Sequence, residues 1–538
     1  EFQDRSDEPG GKSGGEFRLT MGGTCGDTSA KMFELKEPVM PSSEEFSPIP
    51  SLAAVAMVTA AAAAPDATVL GVPVGTSGEP PSEAGSDRAA LALAGFDATL
   101  GSVLVMPAAA GQVVVLVGIG DAAALSVAGW RDAAAAFASA ARGQGSLALR
   151  LPEGTQVSVT DATAAAIEGV VLARYRYEAL HRNDAIGRGS GSTPVDRLVV
   201  VGGDDAGLAR GTAMVRATTL ARDLANTPHS HLTASTFAEL CVGLGEQFGF
   251  AVEVFDEDAI AQLLLGGLMA VTRGSAEPPR MVKLSYRPQG SVTGRLGMVG
   301  KGIMYDSGGI SIKPSNRVHA QMKNDMSGAA TVIAAFTALG ELGCTTEVTG
   351  WLMCTDNMPS GTAIGLGDVY TARNGTTVEV VDTDAEGRLV MADALVLADE
   401  SDCDAVVDIA TLTGSAVRAL GPDMAAVLGT DQGVVEQVKA AADATDEPVW
   451  QMPLWQPYRR KFDRSSVADL PNLASPDTPD VIASSLFLSH FAGDTPWAHI
   501  DIAGPSQNEE GRTWHPLGCT GFGARLLAQL AVDFKPTR

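Results

Sequence analysis

Three acidic residues stand at alternate positions in the segment 380–393, VVDTDAEGRLVMAD. Asp382, Asp384 and Glu386 follow an apolar run and lead into a stretch that predicts a helix. Because alternate residues of an extended chain point the same way, the three carboxylates are expected to converge on one point. Carboxylates this close repel one another unless a cation lies between them. The spacing predicts a hard-cation site with Arg388 beside it for an anionic substrate or transition state; an acidic strand end that caps the following helix is the alternative.

A second group of ionisable residues lies upstream. Leu296–Val299 predicts a short buried strand, and the glycine-bounded run after it predicts an irregular loop. The ionisable residues of this run are Lys301, Asp306 and Lys313. Asp325 begins a small-residue helix predicted to reach Leu342, where a carboxylate is well placed either as a cap or as a ligand.

Together the two groups are sufficient for two divalent ions that share bridging oxygens. The four carboxylates are Asp306, Asp325, Asp384 and Glu386. Two metals about 3.5–4 Å apart can activate a water and stabilise a developing oxyanion. Lys301 could join the ligands only as a neutral amine, which requires the metal to lower its pKa. Lys313 and Arg388 are expected to stay cationic and to face the reacting carbonyl.

The chain resembles the leucyl aminopeptidase family (cytosol aminopeptidases, the M17 metallopeptidases). The strings that carry the similarity are GKG at 300–302, DSGGISIK at 306–313, DAEGRL at 384–389, RDLANTP at 222–228, ATLTG at 410–414, WAHIDIAG at 497–504 and GCTGFG at 518–523. They stand in the family's order, so the resemblance is specific. It covers 165–535 strongly and 51–164 weakly.

The resemblance implies a metal-binding role for five residues. Asp306 and Glu386 would bridge two metals. Lys301 and Asp325 would complete a tighter site, and Asp384 a more exchangeable one. Carboxylates suit Mg or Mn, whereas a neutral lysine nitrogen tolerates Zn or Co, and Mn or Zn is preferred here.

The resemblance also implies catalytic and substrate-binding roles. Lys313 matches a lysine that polarises the scissile carbonyl, and Arg388 matches an arginine that holds a bicarbonate ion acting as general base. The positions that match substrate contacts are Met322, Thr411 and Gly414, which line the pocket for the first side chain, and Leu412, whose backbone contacts the substrate. The expected activity is removal of an N-terminal residue, leucine-like and apolar by preference, from peptides.

The family likeness further implies a cytoplasmic homohexamer whose active sites face an interior cavity. Two other functions use the same residues. A different two-metal hydrolase, a phosphoesterase or an amidase, could employ these carboxylates. A non-catalytic scaffold or regulator is the other alternative, and the complete set of candidate ligands argues against it.

Some positions depart from the family's pattern. Asp382 stands where asparagine is usual and adds a negative charge near the metals. One extra residue separates Lys313 from Asp325, so the loop 315–321 is expected to bulge. Tyr305 replaces a common phenylalanine, and Ser327 a common glycine. No departure removes a candidate ligand.

Composition excludes several classes of protein. The 538 residues carry 64 acidic and 38 basic side chains, a net charge of −26, which argues against binding a nucleic-acid backbone. The six cysteines are scattered and indicate reduced thiols in a reducing compartment. The longest apolar run, Leu52–Ala64, is too short to span a membrane. The seven histidines form no His-Glu-x-x-His string, which excludes a zincin.

Alternating apolar strands and helices predict an α/β protein with two α/β domains. Residues 1–50 are expected to be a disordered tail or an added extension, since 1–45 are rich in Gly, Ser, Glu and Asp without periodicity. Residues 51–206 predict a smaller N-terminal α/β domain, 207–225 a connecting helix, and 226–538 a larger catalytic domain. Its mixed, mainly parallel sheet is expected to be covered by helices.

Overall fold

The structure is a computed structural model that describes residues 46–54, 56–63, 66–106, 111–180, 193–462 and 464–537. The tail predicted for 1–45 lies outside the described residues. From Pro50 the chain forms a short helix, Pro50–Ala53. The Ser51 amide and hydroxyl donate to Asp223 at 2.8 and 3.0 Å, which ties this helix to the long helix that carries Asp223.

The first sheet has six strands. In spatial order they are Met57–Ala61, Arg197–Val201, Ser146–Arg150, Val69–Val74, Val113–Gly118 and Val103–Met106. All neighbours are parallel except the last pair. The helices of this part of the chain are Arg88–Leu93, Val127–Ala140 and Val159–Arg174, with short 3-10 turns at Ser82–Ala84 and Ala122–Ala124.

The second sheet has eight strands and carries the candidate site. In spatial order they are Val449–Gln451, Ala425–Gly429, Trp497–Asp501, Ala405–Ala410, Arg295–Asp306, Glu347–Asn357, Arg280–Tyr286 and Ala251–Phe255. The four neighbours from Trp497–Asp501 to Glu347–Asn357 are mutually parallel. Every residue of Ala405–Ala410 and Trp497–Asp501 is buried, as expected for central strands covered on both faces.

Helices cover both faces of the second sheet. One apolar core includes side chains from Ala234–Phe248, Ser327–Leu339, Gln432–Thr445 and Ala524–Asp533. The other includes side chains from Gly266–Thr272, Glu386–Asp399 and Asp480–Phe491. The remaining elements are the helices Glu257–Gln262, Arg317–Gln321 and Gly414–Leu420, the 3-10 segments Met322–Asn324 and Gln456–Phe462, and the short strands Val369–Thr371, Thr377–Glu379, Leu470–Pro471, Gln507–Asn508 and Gly518–Cys519. The prediction of an α/β fold with a mainly parallel, helix-covered sheet is confirmed.

The helix Asp205–Asn226 lies between the two sheets and packs against Val159–Arg174 on one side and Ser327–Leu339 on the other. Arg222 on this helix is fully buried and donates to the carbonyls of Leu172 and Thr520 at 3.2 and 2.8 Å. The buried guanidinium thus links the two halves through hydrogen bonds to carbonyls of both. The exact domain limits stay a prediction.

One prediction about local structure is wrong. The strand predicted for Leu296–Val299 runs from Arg295 to Asp306, so Lys301 lies on a strand and not on an irregular loop. The glycines that suggested a loop allow close packing instead. A Cβ on Gly300 would lie 2.8 Å from the Ala329 backbone, and one on Gly302 would lie 2.6 Å from the Met353 carbonyl oxygen.

Candidate metal centre

The candidate ligands gather at the carboxyl end of the second sheet. Asp306 is the last residue of its strand, and Lys301 precedes it on the same strand. Asp325 follows the 3-10 turn Met322–Asn324, and Glu386 is the first residue of its helix. Open α/β sheets place their ligand sites at this edge because the loops that follow parallel strands meet there.

Three carboxylates form one cluster. One oxygen each from Asp306, Asp384 and Glu386 lies within 4.8 Å of the others. Asp382 does not belong to this cluster, and the predicted convergence of Asp382, Asp384 and Glu386 is wrong in that respect. A turn at Thr383 interrupts the extended backbone that the prediction assumed, and Asp382 instead accepts the amide of Asp384 at 2.9 Å.

The inner half of the centre comprises Lys301, Asp325 and Glu386. The Lys301 ammonium lies 2.8 Å from an oxygen of each carboxylate and donates to the Thr411 carbonyl at 3.1 Å. At most 5% of each of the three side chains is exposed, so water screens these charges little. Burial lowers the pKa of Lys301, but the two carboxylates outweigh it and the net direction is upward.

The outer half comprises Lys313, Asp306 and Asp384. The Lys313 ammonium lies 2.7 Å from Asp306 and 2.6 Å from Asp384. A third of the Asp384 side chain (34%) is exposed, against 4% of Asp306, so this half opens to solvent through Asp384. Burial opposes ionisation of Lys313, yet the charges of Asp306 and Glu386 raise its pKa overall.

The pKa values of the four carboxylates are shifted in different directions. Burial is the main reason that the pKa values of Asp325 and Asp306 are raised, with repulsion from Glu386 adding to it. Burial, and next the charge of Asp306, raises the pKa of Asp384 to about 6. Burial also acts on Glu386, but Lys301 and then Lys313 overcome it and lower its pKa.

The donor set fits divalent metal ions. Four carboxylates against two ammonium groups leave two negative charges uncompensated in a largely buried space, which a hard cation relieves. Asp306, Asp384 and Glu386 present oxygens close enough to share an ion. Lys301 contacts Asp325 and Glu386. A metal ion that displaced the Lys301 proton could therefore be bound by all three side chains.

Arg388 is buried and lies in the wall of the same cavity. Its terminal nitrogens donate to the two carboxylate oxygens of Asp480 at 3.1 and 3.0 Å. One of them also donates to the carbonyl of Asn472 at 3.1 Å. The guanidinium therefore presents its fork to a carboxylate, the bidentate geometry that suits a planar anion.

The predicted substrate-contact residues line one cavity of about 970 Å³ together with the metal centre. They are Met322, Thr411, Leu412 and Gly414. The Thr411 hydroxyl donates to Asp325 at 2.7 Å, so this loop is attached directly to the inner half. The backbone amide of Leu412 donates to the buried Asp501 at 3.2 Å, which fixes the loop from behind.

Sequence reasoning missed two residues at the centre. Asn357, at the end of the strand Glu347–Asn357, donates to Asp306 at 2.8 Å and to Glu386 at 3.3 Å. The apolar run Val348–Cys354 predicts a strand, and a polar residue three positions beyond it was the available signal. Asp480 gave no such signal, because its link to Arg388 exists only in three dimensions.

The loop 315–321, expected to bulge, contains a short helix, Arg317–Gln321, capped by Asn316. The Tyr305 hydroxyl donates to the His319 carbonyl at 3.3 Å. The Tyr305 ring stacks on His229 and His319, with ring centroids 4.6 and 5.9 Å apart. A helical turn and contacts to Tyr305 thus hold this loop in place.

The fold and the candidate centre together describe an α/β protein with a carboxylate-and-lysine site suited to metal ions at the carboxyl edge of its larger sheet. The model of the cytosol aminopeptidase family's catalytic domain matches residues 219–528, and that of its N-terminal domain matches 84–184. The chain belongs to the cytosol aminopeptidase family.

Relatives of similar length support this assignment. A "Probable cytosol aminopeptidase" of Chlorobium limicola is 39% identical over 464 residues, 82% of this chain and 91% of the relative. One of Streptomyces coelicolor is 39% identical over 515 residues, 88% of this chain and 98% of the relative. A solved structure, the bottromycin maturation enzyme BotP in complex with Mn, is similar with a TM-score of 0.79 and 39% identity, covering 86% of this chain and 99% of that one.

Membership makes the chain a metal-dependent aminopeptidase, a hydrolase of peptides. Among the described residues, none of the helices has the length and apolar character needed to cross a bilayer. Cys241, Cys344, Cys354, Cys403 and Cys519 are free thiols, and Cys25 lies outside the described residues.

Proposed function

We propose that the protein removes the N-terminal residue, leucine-like and apolar by preference, from peptides with the help of two divalent metal ions. The observation that carries the proposal is the placement of two lysines among four carboxylates in the wall of a single cavity. Lys301 and Lys313 contact Asp325, Glu386, Asp306 and Asp384 at 2.6–2.8 Å. The family match supplies the class of reaction.

The two lysines have different proposed roles. Lys301 would be a metal ligand, with Asp306, Asp325, Asp384 and Glu386 as the others. Bound metals would supply Lewis-acid activation of the attacking water. Because the pKa of Lys301 is raised in the metal-free chain, its ammonium must lose a proton before its nitrogen can bind a cation. Metal loading should therefore release protons, which calorimetry in buffers of different ionisation heat would detect.

Lys313 would polarise the scissile carbonyl and stabilise the oxyanion that forms from it. Its side chain is 16% exposed and contacts the outer carboxylates, so it reaches the cavity while staying charged. A preorganised cation near a developing negative charge gains strength from low solvent access. Arg388 would hold the anion that accepts the proton of the attacking water; the family resemblance implies bicarbonate.

The cavity wall supports an apolar preference for the first residue. Met322 and Leu412 contribute apolar surface, with Val318, Val417 and Ala483 also in the wall. Thr411 and Gly414 leave room beside them. These side chains give one part of the wall an apolar surface for the first side chain, beside the charged metal centre.

A metal-titrated assay tests the proposal. The protein is stripped of metal and reloaded with Mn, Zn, Mg or Co, and its turnover of aminoacyl-anilides is compared with its turnover of phosphate esters. We expect leucyl-anilide to be cleaved fastest, and N-acetylated leucyl-anilide to resist. Preferential cleavage of phosphate esters would favour a two-metal phosphoesterase, and inactivity on every substrate with both metals bound would favour a scaffold.

We also propose a cytoplasmic homohexamer that uses Mn or Zn. The relatives are named cytosol aminopeptidases, and the similar BotP structure is a complex with Mn. Light scattering after size-exclusion chromatography would measure the assembly, and a mass of one or two chains would contradict it. Elemental analysis of the protein purified from its own cells would identify the metal.

A further inference from the structure

Arg388 forms an ion pair with a carboxylate of the same chain, that of Asp480. Its two terminal nitrogens donate to the two oxygens of Asp480 at 3.1 and 3.0 Å. The Arg388 side chain is 2% exposed, whereas that of Asp480 is 34% exposed. Both residues lie in the wall of the cavity that contains the metal centre. Asp480 therefore has one side on a buried cation and the other open to the cavity.

The loop 472–479, which precedes Asp480, is hydrogen-bonded to the segment 381–382 beside the candidate metal ligand Asp384. The side chain of Asn472 accepts the amides of Val381 and Asp382 at 2.9 and 3.3 Å and donates to the Asp382 carbonyl at 2.6 Å. The Asn472 carbonyl accepts from Arg388. At the other end, Asp480 is the first residue of a twelve-residue helix, where a negative charge is favoured. Both ends of the loop thus hold the carboxylate in place.

A bicarbonate ion and an Asp480 carboxylate compete for the same donors. Each is planar and offers two oxygens to the two terminal nitrogens of Arg388, whereas the Nε atom of this guanidinium is buried and has no hydrogen-bond partner among the described residues. The Asp480 carboxylate is covalently attached and needs no free ion from solution, so its effective concentration at Arg388 is high.

We propose that Asp480 is the anion at Arg388 and takes the place of a free bicarbonate as the proton acceptor of the reaction. This inference rests on the proposed peptidase function. As the oxygen of the attacking water bonds to the carbonyl carbon, one of its protons passes to the carboxylate of Asp480. When the carbon–nitrogen bond breaks, that proton passes to the leaving amine, and Asp480 is again ionised.

A structural ion pair is the competing explanation, because the pair also joins the helix Glu386–Asp399 to the helix Asp480–Phe491. The two explanations differ in how they respond to bicarbonate. If Asp480 is the proton acceptor, bicarbonate can occupy its space in a variant that lacks it and restore turnover. If the ion pair is only structural, added bicarbonate does not restore turnover.

The experiment measures leucyl-anilide turnover in buffer freed of carbon dioxide and in the same buffer with added bicarbonate. We expect wild-type turnover to be the same in both. Asp480→Ala should lose at least about a hundredfold in kcat without bicarbonate, the usual contribution of general base catalysis, and should recover most of it with bicarbonate. Asp477→Ala is the matched control, since Asp477 lies in the same loop, is exposed and pairs with Lys461, and it should show neither effect.

A second measurement is independent of turnover. Relaxation of the 13C signal of labelled bicarbonate is followed with zinc-loaded protein. We expect no binding to the wild type at the Arg388 site, binding to Asp480→Ala, and loss of that binding in the double variant Asp480→Ala with Arg388→Met. If the wild type cleaves no peptide, the proposed function fails, while this measurement still decides whether Asp480 occupies the anion site.

Three outcomes would overturn the inference. Stimulation of the wild type by bicarbonate would show that Asp480 does not fill the site, and this arm needs no variant to fold. Full activity of Asp480→Ala without bicarbonate would remove its role. Inactive Asp480→Ala that melts at the wild-type temperature, retains its metal and ignores bicarbonate would leave only the structural ion pair; Asp480→Ser, which also leaves room for the ion and suits the start of a helix, repeats this arm if the alanine variant does not fold.

Discussion

The inner and outer halves of the metal centre use the same chemistry in different surroundings. Each half places one lysine between two carboxylates at 2.6–2.8 Å. In the inner half the most exposed side chain is Asp325 at 5%, whereas in the outer half Asp384 reaches 34%. Burial fixes the inner charges to one another, and exposure leaves the outer ones free to exchange partners. We therefore expect the inner half to contribute more to stability, and the outer half more to metal exchange and turnover.

The largest expected effect is on stability, from Lys301→Met. Methionine keeps the length of the side chain but leaves Asp325 and Glu386 without their buried cation. Breaking a buried pair by removing one partner costs about 3–5 kcal/mol. We expect the free energy of unfolding of the metal-free protein, measured by urea denaturation, to fall by that amount.

Lys283→Met is the control for that variant. Lys283 pairs with Glu253 at 3.5 Å on the surface, with side chains 35% and 59% exposed. Such a pair contributes about 0–1 kcal/mol. If the two variants lost equal free energy of unfolding, the expected difference between a buried and an exposed lysine would be contradicted.

Lys313→Ala should act on turnover. If Lys313 stabilises the oxyanion, its removal raises the barrier by about 2.7–4 kcal/mol, a hundred- to a thousandfold loss in kcat. The variant should fold and bind metal, as checked by melting temperature and elemental analysis. Lys461→Ala, which removes a lysine paired with an exposed aspartate, should keep its activity. Near-full activity of Lys313→Ala would refute the assignment.

Asp384→Ala should act on the number of metal ions. Because Asp384 is the most exposed carboxylate of the centre, we expect the outer ion to be lost on dialysis and the inner ion to stay, so elemental analysis gives one ion per chain. Asp325→Ala should instead affect the enclosed ion. Unaltered metal content of Asp384→Ala would count against a metal in the outer half.

The smallest effect concerns the pH dependence of the metal-free protein. The pKa of Asp384 is raised to about 6 in the folded chain, against about 3.9 for an unfolded aspartate. The folded chain binds more protons between these values, so the stabilisation from this group is complete below pH of about 4 and is lost as the pH rises through about 6. Urea denaturation of the wild type and of Asp384→Asn should show the wild type losing relative stability across that window; parallel curves would contradict this.

Much of the fold and of the candidate site could be predicted from the sequence. The apolar run Val113–Gly118 predicts a strand, and the structure has a strand with these same bounds. Local pattern failed where packing decides. The strand that ends at Asp306 is predicted to stop at Val299, because Gly300 and Gly302 resemble loop residues until the helix and the strand that pack against them are known. Asp382 was expected among the converging carboxylates, and a single turn at Thr383 directs it elsewhere.

The chemistry available to this protein follows from its residues alone: which side chains are acidic, basic or apolar, and their order along the chain. Those properties are local, so motif and periodicity reveal them. Only the tertiary structure decided that Asn357 joins Asp306 and Glu386, and that Asp480 meets Arg388 across 92 residues of chain. Contacts of that kind depend on how strands and helices pack, and burial then determines which of the charges stay paired and which remain open to exchange.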